Sequence, residues 1–110
     1  MAYFHKDEFP RVDLGGGEYS RRLIAFGGGL LFAEMEFEAG AVSSVHAHDE
    51  EQLTYCAAGE FESMVGGVAG KLGPGDSFYA GKGVPHGVTC LEDGKLLHAF
   101  TPQREDYKKG

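Results

Sequence analysis

Apolar and acidic positions alternate between residues 33 and 38, where Ala33, Met35 and Phe37 are separated by Glu34, Glu36 and Glu38. A period of two places the first set on one face of a strand and the second on the other, so this segment predicts a strand with one buried and one wet face. Strand-like runs recur at 22–26, 30–38, 41–48, 52–57, 60–65, 68–72, 77–80, 87–91 and 95–100. No apolar pattern of helical period persists for three turns. Between the runs stand Gly27-Gly28-Gly29, Gly66-Gly67, Gly73-Pro74-Gly75, Gly81-Lys82-Gly83 and Asp93-Gly94, where positive φ is cheap and tight hairpins are expected. Nine short antiparallel strands in 110 residues leave open edges unless the sheet closes or doubles. The expected fold class is therefore all-β, a small jelly-roll barrel. One domain is expected, with an N-terminal arm over 1–19, a barrel over about 20–101 and a C-terminal tail over 102–110.

Composition narrows the partners. The chain carries 10 Lys and Arg against 17 Asp and Glu, a net charge of −7, which repels phosphate backbones and anionic lipid. Nucleic acid and membrane surfaces are not expected partners. Apolar runs such as Leu30-Leu31-Phe32-Ala33 fall far short of a bilayer span, and Met1-Ala2-Tyr3-Phe4-His5 lacks a signal-peptide layout. A cytoplasmic location is the expectation. Cys56 and Cys90 lack zinc-type pairing and read as reduced, buried packing residues.

Chemistry concentrates in the histidines. His46 and His48 stand two apart, and His86 follows Gly83-Val84-Pro85. On a strand, positions two apart project from one face, so the first pair presents two imidazoles side by side, as a metal ion requires, and His86 completes a facial set. Parity places Gln52, Thr54 and Cys56 on one face of their strand, and His98 with Phe100 on one face of theirs. Burial of Phe100 brings His98 inward, either as an acid–base group or extra ligand, or as a core histidine satisfied by a backbone carbonyl.

The spacing of these residues resembles a known family. Gly40, five residues, His46-Ala47-His48, three residues, Gln52, six residues and Gly59 reproduce the first cupin signature, with Gln52 where a glutamate is usual. Gly75, five residues, Gly81-Lys82-Gly83, two residues and His86 reproduce the second, with Gly81 replacing the usual proline. The resemblance implies a cupin barrel with one divalent transition metal ion, Zn, Ni, Mn or Fe, held by His46, His48, Gln52 and His86. Glu50 and Glu51 compete for the third place, but the count from His48 and from Gly59 lands on Gln52. With neutral ligands only, the ion keeps its formal charge, which sharpens its Lewis acidity and welcomes an anion.

A narrower resemblance rests on Gly59-Glu60 and on the ending from Phe100 to Tyr107, which is similar to pectin-degradation cupins of the KdgF type. That family linearises unsaturated uronates and spaces an aspartate, a phenylalanine and an arginine as D-x-F-x-x-x-R. Phe100 and Arg104 match, and His98 stands at the aspartate position. The resemblance thus implies a small anionic substrate contacted by Phe100 and Arg104, with His98 and Arg104 in catalytic roles. The guanidinium supplies a planar fork for a carboxylate. Unpaired with that resemblance, Arg104 reads as a surface charge paired with Glu105 or Asp106. A cupin dioxygenase and a non-catalytic binding cupin are the alternative functions. Tyr3, Phe4 and Phe9 form an aromatic arm around His5, and an arm or sheet face of this kind leads to the expectation of a homodimer.

Overall fold

A computed structural model describes residues 3–108. The outermost ends of the expected arm and tail, Met1, Ala2, Lys109 and Gly110, lie outside the described residues. The strands are β1 (Arg11–Leu14), β2 (Tyr19–Gly27), β3 (Leu30–Phe37), β4 (Val42–His46), β5 (Glu51–Val65), β6 (Val68–Leu72), β7 (Ser77–Ala80) and β8 (His86–Thr101), followed by a one-turn helix α1 (Glu105–Lys108). All pairings are antiparallel, in the order β1-β2-β3-β8-β5-β6, with β4 on β8 and β7 on β5. The all-β jelly-roll expected from the sequence is the fold observed.

Two expected breaks are not breaks. The runs 52–57 and 60–65 fuse into β5, and 87–91 and 95–100 fuse into β8, so Asp93-Gly94 lies inside a strand rather than in a hairpin. The two long strands pair along their length and bend together, with register shifts between Cys56 and Phe61. Glycine permits this close crossing. Gly59 has φ +83°, and a Cβ there would lie 2.5 Å from Gly94 Cα and 2.6 Å from the Asp93 carbonyl oxygen. A Cβ on Gly94 would meet the Ala58 carbonyl oxygen at 2.6 Å. The bend lets each long strand serve both halves of the barrel: β3 and β7 flank one end of the β5–β8 pair, β4 and β6 the other.

The inward residues are those that alternation selects. Ala33, Met35, Phe37, Cys56, Phe61, Cys90, Leu96 and Phe100 are buried. Both cysteines are free, and both pack in the core with Met35, Phe37 and Phe61. The wet face of β3 departs from the pattern at Glu34, which is only 7% exposed and lies against Arg11 of β1, a strand the pattern did not reveal. Two members of the aromatic arm are not free, since Phe4 and Phe9 pack on Phe26 at 5.5 and 6.1 Å between ring centroids, while Tyr3 stays exposed. Exposed apolar groups also lie on the outer face, where Phe32, Leu53, Tyr55 and Tyr79 stand on β3, β5 and β7. Among the described residues no helix is long and apolar enough to cross a membrane.

Candidate metal centre

His46 ends β4 and His86 opens β8, and the two face each other in the β4–β8 register. His48 lies beyond the strand that was expected to carry it, so strand parity does not bring it to the pair. A backbone bond does: the Gly83 N–H donates to the His48 carbonyl at 2.8 Å, joining the second glycine-rich turn to the first histidine segment. The three rings stand 4.7 to 5.5 Å apart between centroids. Their nitrogens come within 4.8 Å of one another, a group able to hold a metal ion.

Hydrogen bonding fixes which nitrogen each ring offers. Nδ1 of His46 lies 2.8 Å from the Ser44 carbonyl, Nδ1 of His48 2.8 Å from the Glu50 carbonyl, and Nδ1 of His86 2.9 Å from the Val84 carbonyl. A carbonyl only accepts, so each Nδ1 carries the hydrogen, and a neutral ring then has a bare lone pair at Nε2. Burial holds His48 below the ordinary imidazole value, with the Arg104 charge adding to it. Burial likewise lowers His86, against a bond to Val84 that favours the charged form. The net lowering in both rings favours the neutral form and so keeps the Nε2 lone pairs available. His86 Nε2 is buried without a partner among the described residues, and a buried polar atom of this kind is suited to ligate a cation. The donor set therefore fits a divalent transition metal ion.

Gln52 is 5% exposed and sits beside this group, with Oε1 3.1 Å from His48 Nε2. Its Nε2 donates to Thr54 Oγ1 at 2.8 Å and lies 3.2 Å from His98 Nδ1. Thr54 and His98 are cross-strand partners in the β5–β8 register, with Oγ1 and Nδ1 2.8 Å apart. His98 is thus inside, as the burial of Phe100 requires, but it is bonded to side chains rather than to a backbone carbonyl. Burial, with the charges of His86 and Arg104, pushes His98 down to about 3. Its Nε2 is buried and unpartnered among the described residues. Glu50 and Glu51 are outside the histidine group. Glu50 Oε1 instead lies 3.4 Å from His48 Nδ1 and 3.5 Å from Arg104 Nε.

Arg104 is not a solvated tail charge. Its side chain is 13% exposed, and the guanidinium lies 5.2 Å over the Phe100 ring and 4.5 Å over the Tyr107 ring. Asp106 takes Nε at 3.2 Å and Nη2 at 3.0 Å, while Nη1 is buried with no partner among the described residues. Tyr107, which sequence reasoning gave no role, stacks edge-on to Phe100 at 5.2 Å and carries Arg21 on its ring at 4.0 Å. Its only signal in the sequence is its place three residues after Arg104. The cavity that His46, Gln52, His86, His98, Phe100 and Tyr107 line measures about 50 Å³.

Residues 33–100 match the Cupin domain family. The chain is a cupin. It is 38% identical over 107 residues to the pectin degradation protein KdgF of Dickeya dadantii, covering 96% of each chain. Two solved structures are similar over nearly the whole length. An RmlC-like cupin from Shewanella frigidimarina is 34% identical, with a TM-score of 0.90 and coverage of 97% of this chain and 96% of that one. KdgF from Halomonas sp. is 30% identical, with a TM-score of 0.88 and coverage of 96% and 97%. The cupin barrel thus carries three clustered imidazoles, each with its Nδ1 bonded to a backbone carbonyl, and a buried guanidinium nitrogen without a partner among the described residues.

Proposed function

We propose that this cupin is a metal-dependent, non-redox enzyme that linearises small unsaturated uronates. The carrying observation is the unpartnered Nη1 of Arg104, a buried positive donor in the same structure as three clustered imidazoles, of which His86 has an unpartnered Nε2. A buried guanidinium nitrogen without an acceptor suits a carboxylate from outside. KdgF, a relative at 38% identity, is named for pectin degradation, which supports an anionic sugar as the substrate class.

In this reading His46, His48, Gln52 and His86 hold the ion, which when bound supplies a Lewis acid for an oxygen of the sugar. Arg104 binds the carboxylate, and Phe100 and Tyr107 hold the guanidinium in place from two rings. Phe100 also offers an apolar wall for the sugar. His98 takes part through its Nε2–H as a hydrogen-bond donor to a sugar oxygen. A cavity of about 50 Å³ admits the ion and reacting atoms, so the ring itself rests at the mouth. The reaction breaks the bond from the hemiacetal carbon to the ring oxygen, and the resulting enol becomes a ketone. The hydroxyl proton released in the first step equals the proton taken up on carbon in the second, so no redox partner is required.

The test is ultraviolet loss of the conjugated enol of unsaturated galacturonate with purified protein and added metal. A rate clearly above the spontaneous one is expected, and no excess rate would remove the reading. We also infer a homodimer formed through the outer face bearing Phe32, Leu53, Tyr55 and Tyr79. A monomer mass in light scattering would contradict it. The two free buried thiols suit a reducing compartment, in line with a cytoplasmic location.

A further inference from the structure

The amide of Gln52 has an accepting end and a donating end, and only the first can help hold a cation. Oε1 lies 3.1 Å from His48 Nε2. The His48 ring has committed its hydrogen to the Glu50 carbonyl, so in the neutral ring this is an approach of two acceptors. Such atoms repel unless a cation lies between them, whereas two donors each about 2.1 Å from one ion stand about 3.0–3.4 Å apart. Turning the amide over would give His48 Nε2 an N–H and remove the repulsion, at the loss of the ligand oxygen. Something must oppose that turn.

Thr54 and His98 supply the opposition. The Gln52 Nε2 hydrogens find acceptors in Thr54 Oγ1 at 2.8 Å and His98 Nδ1 at 3.2 Å. Thr54, having accepted, gives its own hydroxyl hydrogen to His98 Nδ1 at 2.8 Å. The one lone pair of Nδ1 takes the Thr54 hydrogen and leaves the Gln52 N–H a longer, shared contact, so the ring hydrogen sits on Nε2. We propose that His98, acting through Thr54, is a positioning residue that holds the Gln52 amide oxygen toward the three imidazoles. The inference rests on the metal-centre reading above and deepens it. The histidine at the family's aspartate position thereby gains a defined role, because its tautomer selects which end of Gln52 faces the ion.

The experiment measures Zn²⁺ affinity of the apo protein by chelator competition, and the visible spectrum of the Co²⁺ form as a report on coordination. Thr54→Val and His98→Leu are expected to weaken Zn²⁺ binding about tenfold or more and alter the Co²⁺ spectrum. Thr54→Ser and His98→Asn keep an oxygen where the hydroxyl and Nδ1 stand, and are expected to stay within about threefold of the parent. In a Gln52→Ala background, Thr54→Val should cause no further loss. Unchanged affinity in Thr54→Val, or an equal loss in the Gln52→Ala background, overturns the proposal. Thermal unfolding checks each variant, and if His98→Leu does not fold, the near-isosteric Thr54 pair decides. Failure of the parent protein to bind Zn²⁺ overturns both this inference and the metal reading; tight binding with no action on uronates removes only the proposed reaction.

Discussion

Arg11 Nη2 donates to Glu34 Oε1 at 2.6 Å, across two strand pairings of a sheet face that alternation marks as wet. Arg22 and Lys95 each approach Glu34 Oε2 at 3.5 Å. Burial pushes the Glu34 carboxyl up, but the Arg11 hydrogen bond and the charges of Lys95, Arg22 and Arg11 together hold it below its ordinary value. A carboxyl depressed in the folded state stabilises fully above its unfolded value, and that contribution fades as pH falls through the folded value. Thermal unfolding from about pH 7 to 3 should therefore show the parent losing stability more steeply below the ordinary value of 4.5 than Glu34→Gln does. At neutral pH the variant should be less stable by about 2 kcal/mol, because three cations lose their shared partner. Parallel pH profiles would contradict this account.

Zinc or nickel should raise the melting temperature. Metal at about a hundredfold over Kd adds about 2.7 kcal/mol, or roughly 10 °C for a domain of this size. His86→Ala removes the most buried of the three imidazoles and should abolish the shift, while chelator returns the parent to the metal-free value. Calorimetry with and without metal checks both outcomes, and an equal shift in His86→Ala would place the ion elsewhere.

Arg104→Ala should raise KM for an unsaturated uronate about tenfold or more, with a smaller change in kcat, if the guanidinium binds a carboxylate present throughout the reaction. Arg104→Lys should not restore it. Lysine lacks the fork that engages Asp106 with two nitrogens while leaving Nη1 inward, and it stacks poorly on Phe100 and Tyr107. Steady-state kinetics on the metal-loaded protein decide, and full recovery by lysine would reduce Arg104 to a point charge.

Gly59→Ala should destabilise the fold by about 3 kcal/mol or more, from a positive φ and a clash that side-chain motion cannot relieve. The atoms met are backbone: Gly94 Cα, the Asp93 carbonyl and the Glu92 carbonyl. Gly67→Ala, also at positive φ but facing open space, should cost about 1 kcal/mol. Urea unfolding of the two variants measures the difference, and equal losses would show that the crossing of β5 and β8 tolerates a methyl group.

Much of the barrel was legible because alternation is local. Ala33, Met35 and Phe37 are inward in the structure, as are Thr54, Cys56, His98 and Phe100, since each side chain's face follows from its neighbours' parity. The fused strands were not legible. A glycine signals that a bend is allowed, but whether the chain then reverses or continues depends on the partner strand, and Gly59 with Gly94 continue because β5 and β8 bend against each other. Glu34 departs from the alternation for the same reason: its burial depends on β1, which reaches it through tertiary pairing.

By itself the sequence determined the fold class, the inward set and the spacing that brings His46, His48 and His86 into consideration, because these follow from period, turn chemistry and signature. Tertiary structure alone decided three further matters: that backbone carbonyls take each Nδ1–H and leave Nε2 bare, that His98 and Thr54 grip the nitrogen end of Gln52, and that Arg104 turns inward between Phe100 and Tyr107. Hydrogen-bond direction and tautomer depend on which groups from distant segments arrive within about 3 Å, and residue spacing along the chain carries no record of that.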